Sequence, residues 1–299
     1  MLLKEKILKL KKEKNAVILA HNYQTRDIIE IADFIGDSFE LAKKAQNTQA
    51  DIIVFCGVQF MAESAKILNP QKKVLLPSLD AGCFMADKIN KKTLNALKKQ
   101  YPKAAVVAYI NTNADLKAEI DVCCTSANAL KIIEKIKNNE IIFVPDRHLA
   151  EYVQSQTKKK IIPYPQGYCF LHTNIQPEKI LHLKKQHPKA EILMHPETPL
   201  ALHKYANYVY GTGGMIKHVQ NSQKNKFLIA TEEHMSSTLK FLFPKKEFIP
   251  LMRGCRYMEY INLENTLEAL EKERYEITVN KNIAQKAKIA LEKMIDFSQ

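Results

Sequence analysis

Tryptophan is absent from the 299-residue chain, glycine occurs eight times, and arginine supplies five of the 45 basic residues. Each shortage excludes something. No apolar run approaches the roughly 18 residues of a membrane-crossing helix. The opening Met1-Leu-Leu-Lys-Glu-Lys-Ile-Leu-Lys-Leu is lysine-studded and amphipathic, unlike the apolar core of a secretion signal. A cytoplasmic location is therefore expected. Neither a GxGxxG nor a Walker A sequence occurs, because Gly211-Thr-Gly-Gly lacks the spacing either requires, so a nucleotide cofactor is not supported. The net charge of +13 is carried by lysine. Reading of bases and phosphates leans on the bidentate arginine fork, and pairs such as Lys43-Lys44, Lys98-Lys99 and Lys184-Lys185 fall on polar helix faces. The charge is read as a solvated surface that favours small acidic substrates. What remains, 46% hydrophobic and 26% charged residues, is ordinary for a globular chain.

The few glycines are not scattered. Gly82 and Gly254 directly precede a cysteine, and Gly167 stands two before one, a placement expected where the backbone needs positive φ or close approach. The cysteines concerned, Cys83, Cys169 and Cys255, are spaced 86 apart, and Lys98-Lys-Gln-Tyr-Pro-Lys-Ala104 recurs at the same offset as Lys184-Lys-Gln-His-Pro-Lys-Ala190. Apolar runs repeat too. Ala16–His21, Ala104–Tyr109 and Ala190–His195 form one set; Asp51–Phe55, Glu140–Val144 and Lys226–Ala230 a second; Val74–Pro77, Ile161–Pro163 and Phe248–Pro250 a third. The chain is a triplication. Short apolar runs alternating with helical periodicity predict parallel sheets with helices on both faces. The fold class is thus α/β, with three small three-layer αβα domains related by a pseudo-threefold axis and an active site at their common centre. The domains span about 1–83, 84–169 and 170–256, and a helical tail, 257–299, is expected to pack back on the first repeat.

Equivalent residues of three repeats lie equally far from such an axis. Each cysteine follows the last strand of its unit, and ligands collect at the carboxyl ends of strands in open α/β sheets. Cys83, Cys169 and Cys255 are therefore expected to converge and hold a metal with one coordination position open. Zinc and a four-iron cluster both fit three sulfur ligands, and no local CxxC signature chooses between them. Cys56, Cys123 and Cys124 do not repeat and are read as core or loop residues.

A second set of polar residues recurs at the first strand ends: His21-Asn22-Tyr23, Tyr109-Ile110-Asn111 and His195-Pro196-Glu197, with Tyr23 and Tyr109 again 86 apart. Small polar residues follow at expected helix starts: Gly36-Asp37-Ser38, Thr125-Ser126 and Gly211-Thr212. Helix N-termini with hydroxyls bind carboxylate or phosphate. Around an open metal these residues describe a site for a small, multiply anionic substrate. Glu197, the only carboxylate among the strand ends, is the candidate general acid/base.

The chain resembles the quinolinate synthase family over essentially its whole length. The marks are Ala20-His-Asn-Tyr-Gln24, Gly36-Asp-Ser38, Cys56–Leu68, Gly82-Cys83, Ala108-Tyr-Ile-Asn111, Gly167-Tyr-Cys-Phe-Leu-His172, His195-Pro-Glu197, Ala230-Thr-Glu232 and Cys255-Arg-Tyr-Met258. The resemblance implies an oxygen-sensitive 4Fe-4S cluster on Cys83, Cys169 and Cys255 with one open iron. It implies condensation of iminoaspartate with dihydroxyacetone phosphate to quinolinate, the pyridine precursor of NAD. It places substrate contacts on His21, Ser38, Tyr109, Asn111, Ser126, His195, Glu197 and Thr212, and makes Tyr23 an acid/base beside Glu197 and Tyr109. Hand-off of the unstable imine from an aspartate oxidase or dehydrogenase is the partner it suggests. Many members carry Cys after His-Pro-Glu where this chain has Thr198, and Met252 stands where some carry a further cysteine. Two other readings compete: a different hydro-lyase on the same cluster, and a zinc-stapled basic binding protein without catalysis.

Overall fold

The computed structural model describes residues 2–299. Its strands form three separate four-stranded sheets. The first contains β1 (Ala16–His21), β2 (Phe34–Gly36), β3 (Ile52–Cys56) and β4 (Lys73–Leu75). The second contains β5 (Ala105–Tyr109), β6 (Val122–Cys124), β7 (Glu140–Val144) and β8 (Lys160–Pro163). The third contains β9 (Glu191–Met194), β10 (Tyr208–Val209), β11 (Lys226–Ala230) and β12 (Glu247–Pro250). Their orders, β2-β1-β3-β4, β6-β5-β7-β8 and β10-β9-β11-β12, are one topology used three times. All pairings are parallel, and the registers correspond: Ala16 stands opposite Ile52, Ala105 opposite Ile141 and Glu191 opposite Phe227. This is the expected α/β architecture of three repeats.

The local chemistry explains the strands. β3 and β5 are buried along their whole length, as a parallel sheet covered by helices on both faces requires, so they read as unbroken apolar runs. One polar residue per repeat pins the edge loop to the first strand: Asp33, Asp121 and Asn207 accept the backbone N–H of Ile18, Val106 and Ile192 at 2.8, 2.7 and 2.9 Å.

The structure departs from the sequence reading in four places. The short edge strands β2, β6 and β10 lie in what was expected to be loop; two or three residues carry no usable alternation. The helix expected at Thr125-Ser126 begins at Ala129, leaving Ser126 in the preceding turn. Tyr23 and Tyr109 are not equivalent. β1 ends at His21 and β5 at Tyr109, so Tyr109 occupies the place of His21 and His195, while Tyr23 matches Asn111 and Glu197. The first repeat holds two extra residues between its third strand and Cys83, and a spacing set from the cysteines slips by two upstream of them.

The tail is the fourth departure. Helix Leu263–Lys272 packs on helix Leu3–Glu13, and the chain then runs antiparallel beside β4, with Ile277 N–H donating to Val74 O at 2.8 Å. Helix Lys281–Phe297 is not confined to the first repeat. It lies against helix Gln59–Leu68 there, and against helices Ala114–Lys117 and Ala129–Lys135 and strand β6 of the second. Its buried Ala287, Ala290, Leu291, Met294 and Ile295 cover the seam between the two repeats. Periodicity identifies an apolar face but not what the face will meet. Among the described residues, no helix is long and apolar enough to cross a membrane.

Candidate active site

The strand ends of all three repeats open onto one pocket. His21, Tyr23, Ser38, Tyr109, Asn111, Ser126, His195, Glu197 and Thr212 line it, together with Cys83, Cys169 and Cys255. Every residue singled out from the sequence is thus brought to one place. Ser38 opens a helix capped by Asp37, whose Oδ1 accepts the N–H groups of Phe39 and Glu40 at 2.9 Å. Thr212 opens another, and its Oγ1 accepts from Asn22 Nδ2 at 2.9 Å, tying the third repeat to the first. Ser126 meets the third repeat at Gly211, where a Cβ would stand 2.7 Å from Ser126 Oγ and turn that hydroxyl aside.

The two imidazoles are prepared alike. His21 Nδ1 accepts the N–H of Tyr23 at 3.1 Å, and His195 Nδ1 accepts the N–H of Glu197 at 3.3 Å. Each ring therefore keeps its proton on Nε2. Burial lowers His21 to about 4 and His195 to about 3, so both are neutral donors at physiological pH. Asn111 Oδ1 is buried without a partner, an acceptor waiting in the pocket.

The phenols and the carboxylate form a chain across the repeats. Tyr109 Oη donates to Glu197 Oε1 at 2.5 Å. Glu197 Oε2 lies 2.9 Å from His172 Nδ1, His172 Nε2 lies 2.8 Å from Thr231 Oγ1, and Thr231 Oγ1 lies 2.5 Å from Tyr23 Oη. Burial works to raise Glu197, yet the His172 ring beside it and the hydrogen bond from Tyr109 outweigh burial and hold it at about 2. Burial, with Glu197 nearby, pushes both phenols well above their ordinary value. At rest the site pairs one carboxylate with two protonated tyrosines. Glu197 can take a proton there; it has none to give.

The cysteines sit on equivalent turns. Cys169 and Cys255 cap the helices Phe170–Thr173 and Arg256–Glu259, and Cys83 precedes the 3-10 turn Ala86–Lys88. Burial pushes Cys83 up to about 12 and Cys255 to about 11, and raises Cys169 well above the ordinary thiol value. Backbone N–H groups of Met85 and Ala86, of His172, and of Tyr257 and Met258 pull the other way, toward thiolate. Burial thus disfavours a bare thiolate at each position, and a metal ion that takes the proton's place would relieve that cost.

Among the described residues, Cys169, His172 and Glu197 form the group whose donor atoms all lie within 4.8 Å of one another, a set able to hold a metal. Cys83, Cys169 and Cys255 line the same pocket. Three soft sulfur donors suit a thiophilic metal group, either zinc or an iron-sulfur cluster. Cys56, Cys123 and Cys124 are buried at the ends of β3 and β6.

Sequence reasoning passed over His172 and Thr231 as site residues. His172 stands three after Cys169, but the matching places in the other repeats hold Ala86 and Met258, so no polar residue recurs there.

Comparison with known proteins accords with this geometry. A family model described as "Quinolinate synthetase A protein" matches residues 5–296. Quinolinate synthase 2 of Methanosarcina acetivorans is 45% identical over 299 residues, covering 99% of this chain and 96% of the relative. The quinolinate synthase of Dehalococcoides mccartyi is 46% identical over 98% of both chains. That of Pyrococcus abyssi is 46% identical over 98% of this chain and 99% of its own. With matches that run end to end at this identity, the chain belongs to the quinolinate synthase family.

Proposed function

We propose that this chain condenses iminoaspartate with dihydroxyacetone phosphate to quinolinate, releasing phosphate and two waters, in the biosynthesis of NAD. The atoms balance without oxidant or reductant, so the site must move protons and stabilise departing oxygens. The observation that carries the reading is the single pocket in which three repeat-equivalent cysteines face the strand-end residues of all three repeats. Cys83, Cys169 and Cys255 would hold a 4Fe-4S cluster. When bound, it supplies one iron without a protein ligand, a Lewis acid for a substrate nitrogen or a departing oxygen.

The chain's own residues have distinct tasks. The Nε2–H groups of His21 and His195 donate to carboxylate or phosphate oxygens. Ser38, Ser126 and Thr212 add hydroxyl donors from three sides, and Asn111 Oδ1 accepts from the substrate. Glu197 is the base, oriented by Tyr109. Tyr23 delivers or removes a proton, and the hydrogen bonds behind it run through Thr231 to His172. The imine decays in water, so direct hand-off from an aspartate oxidase or dehydrogenase belongs to the proposal.

The test is product analysis with protein purified without oxygen and given both substrates. Quinolinate with equimolar phosphate supports the reading. A different unsaturated acid would identify another hydro-lyase. A colourless zinc protein with strongly salt-dependent polyanion affinity would identify a binding protein.

A further inference from the structure

Two of the three cysteines share a feature that the third lacks. Asp146 and Glu232 stand in equivalent places, each two residues beyond the end of its repeat's third strand, β7 or β11. Both carboxylates are buried, with exposures of 0% and 1%. Asp146 Oδ1 accepts the N–H of Leu149 at 2.6 Å, capping helix Arg147–Gln154, and its Oδ2 accepts the N–H of Cys169 at 3.2 Å. Glu232 Oε2 accepts the N–H of His234 at 2.8 Å, where helix His234–Leu242 starts, and its Oε1 accepts the N–H of Cys255 at 2.6 Å and faces His234 Nδ1 at 2.7 Å. A main-chain rung runs beside each: Arg147 N–H to Gly167 O at 2.9 Å, and Glu233 N–H to Arg253 O at 3.3 Å.

The first repeat keeps the rung, Gln59 N–H to Ala81 O at 2.7 Å, but has Val58 in the carboxylate's place. Its whole connection from third strand to cysteine is the one that is two residues longer. A buried carboxyl group that accepts two backbone N–H groups from separate segments fixes their separation, because moving either one strands a buried acceptor and a buried N–H.

We infer that Asp146 and Glu232 are positioning residues for the metal group: each clamps a ligand cysteine to the rigid end of its sheet, while Cys83 rides on a loop without that clamp. The inference rests on the reading that the three cysteines hold an iron-sulfur cluster. The clamps act on retention of the cluster. Partners of this kind are worth about 10–100-fold in metal affinity at other sites. The two side chains also engage the backbone N–H groups of the ligand cysteines themselves.

The experiment uses full-length protein reconstituted without oxygen. Iron per chain and the rate of iron release to a chelator are measured for wild type, Asp146→Asn, Asp146→Ala, Glu232→Gln and Glu232→Ala. Asp121→Asn serves as control, a carboxylate clamp at the other end of its sheet. An amide keeps one acceptor oxygen but turns an N–H donor toward a backbone donor, so Asn and Gln hold one segment and release the other. The expected result is iron release about tenfold faster or more in the alanine variants. The amide variants release iron at intermediate rates, and the control matches wild type. If an alanine variant fails to fold, its amide counterpart decides. Release rates equal to wild type in both amide variants would overturn the inference, as would an equal acceleration in Asp121→Asn. A wild-type protein that holds no cluster would instead remove the reading beneath it.

Discussion

Glu197 takes its character from its neighbours. Burial favours its neutral form, and the His172 ring with the Tyr109 hydroxyl keeps it ionised, at about 2. Glu197→Gln should therefore lower turnover by about 100-fold or more while leaving iron content unchanged; an unaltered rate would remove it as the base. The imidazoles make a second prediction. His21 at about 4 and His195 at about 3 lie below the ordinary 6.5. As pH falls below 6.5 the unfolded chain takes up protons that the folded chain refuses. Stability fully present above pH 6.5 is then lost toward pH 4, by up to about 1.4 kcal/mol per pH unit for each ring. Urea unfolding between pH 8 and 4.5 reads this slope. His21→Asn should flatten it, and an identical slope would contradict the account. At this scale the site was largely legible, because its residues recur at strand ends in three copies. His172 escaped because only one of its three equivalent places is polar. The ionisation of Glu197 was hidden because it depends on who faces it.

The loops that carry the cysteines behave unlike one another. The glycines before them suggested positive φ, yet no glycine has it. Gly167 is required for a different reason: a Cβ there would stand 1.8 Å from the carbonyl oxygen of Pro145, a backbone atom that cannot swing aside. At Gly82 the nearest atom would be 4.0 Å away. Gly167→Ala should strip iron and lower the melting temperature, whereas Gly82→Ala should do neither; similar behaviour of the two would refute this reading. The main strands could be read from their apolar runs. Edge strands β2, β6 and β10 could not, since they owe their conformation to pairing with a neighbour and not to any pattern of their own. Helix Lys281–Phe297 was legible as a helix but not in its place. It depends on burial at the seam, so Leu291→Ala, at a side chain with 0% exposure, should cost about 2–5 kcal/mol in urea unfolding. A change near zero would mean that the helix is not held there.

Across the whole molecule, triplication builds a site that no single repeat contains. Each copy contributes the same strand ends, the same turn and one cysteine. Divergence then assigns the tasks: imidazole, phenol and imidazole at one position, phenol, amide and carboxylate at another. The threefold plan could be read because the cysteine spacing is regular. The seams could not, because contacts between repeats join residues far apart in sequence, as Asn22 joins Thr212. The central claim is that the three cysteines together hold one iron-sulfur cluster. Iron and acid-labile sulfide per chain, measured on protein purified without oxygen, test it most directly. The account predicts about four of each in wild type and a large loss when Cys83, Cys169 or Cys255 is replaced by Ser. A single zinc per chain, or full iron retained in any one of those variants, would contradict it.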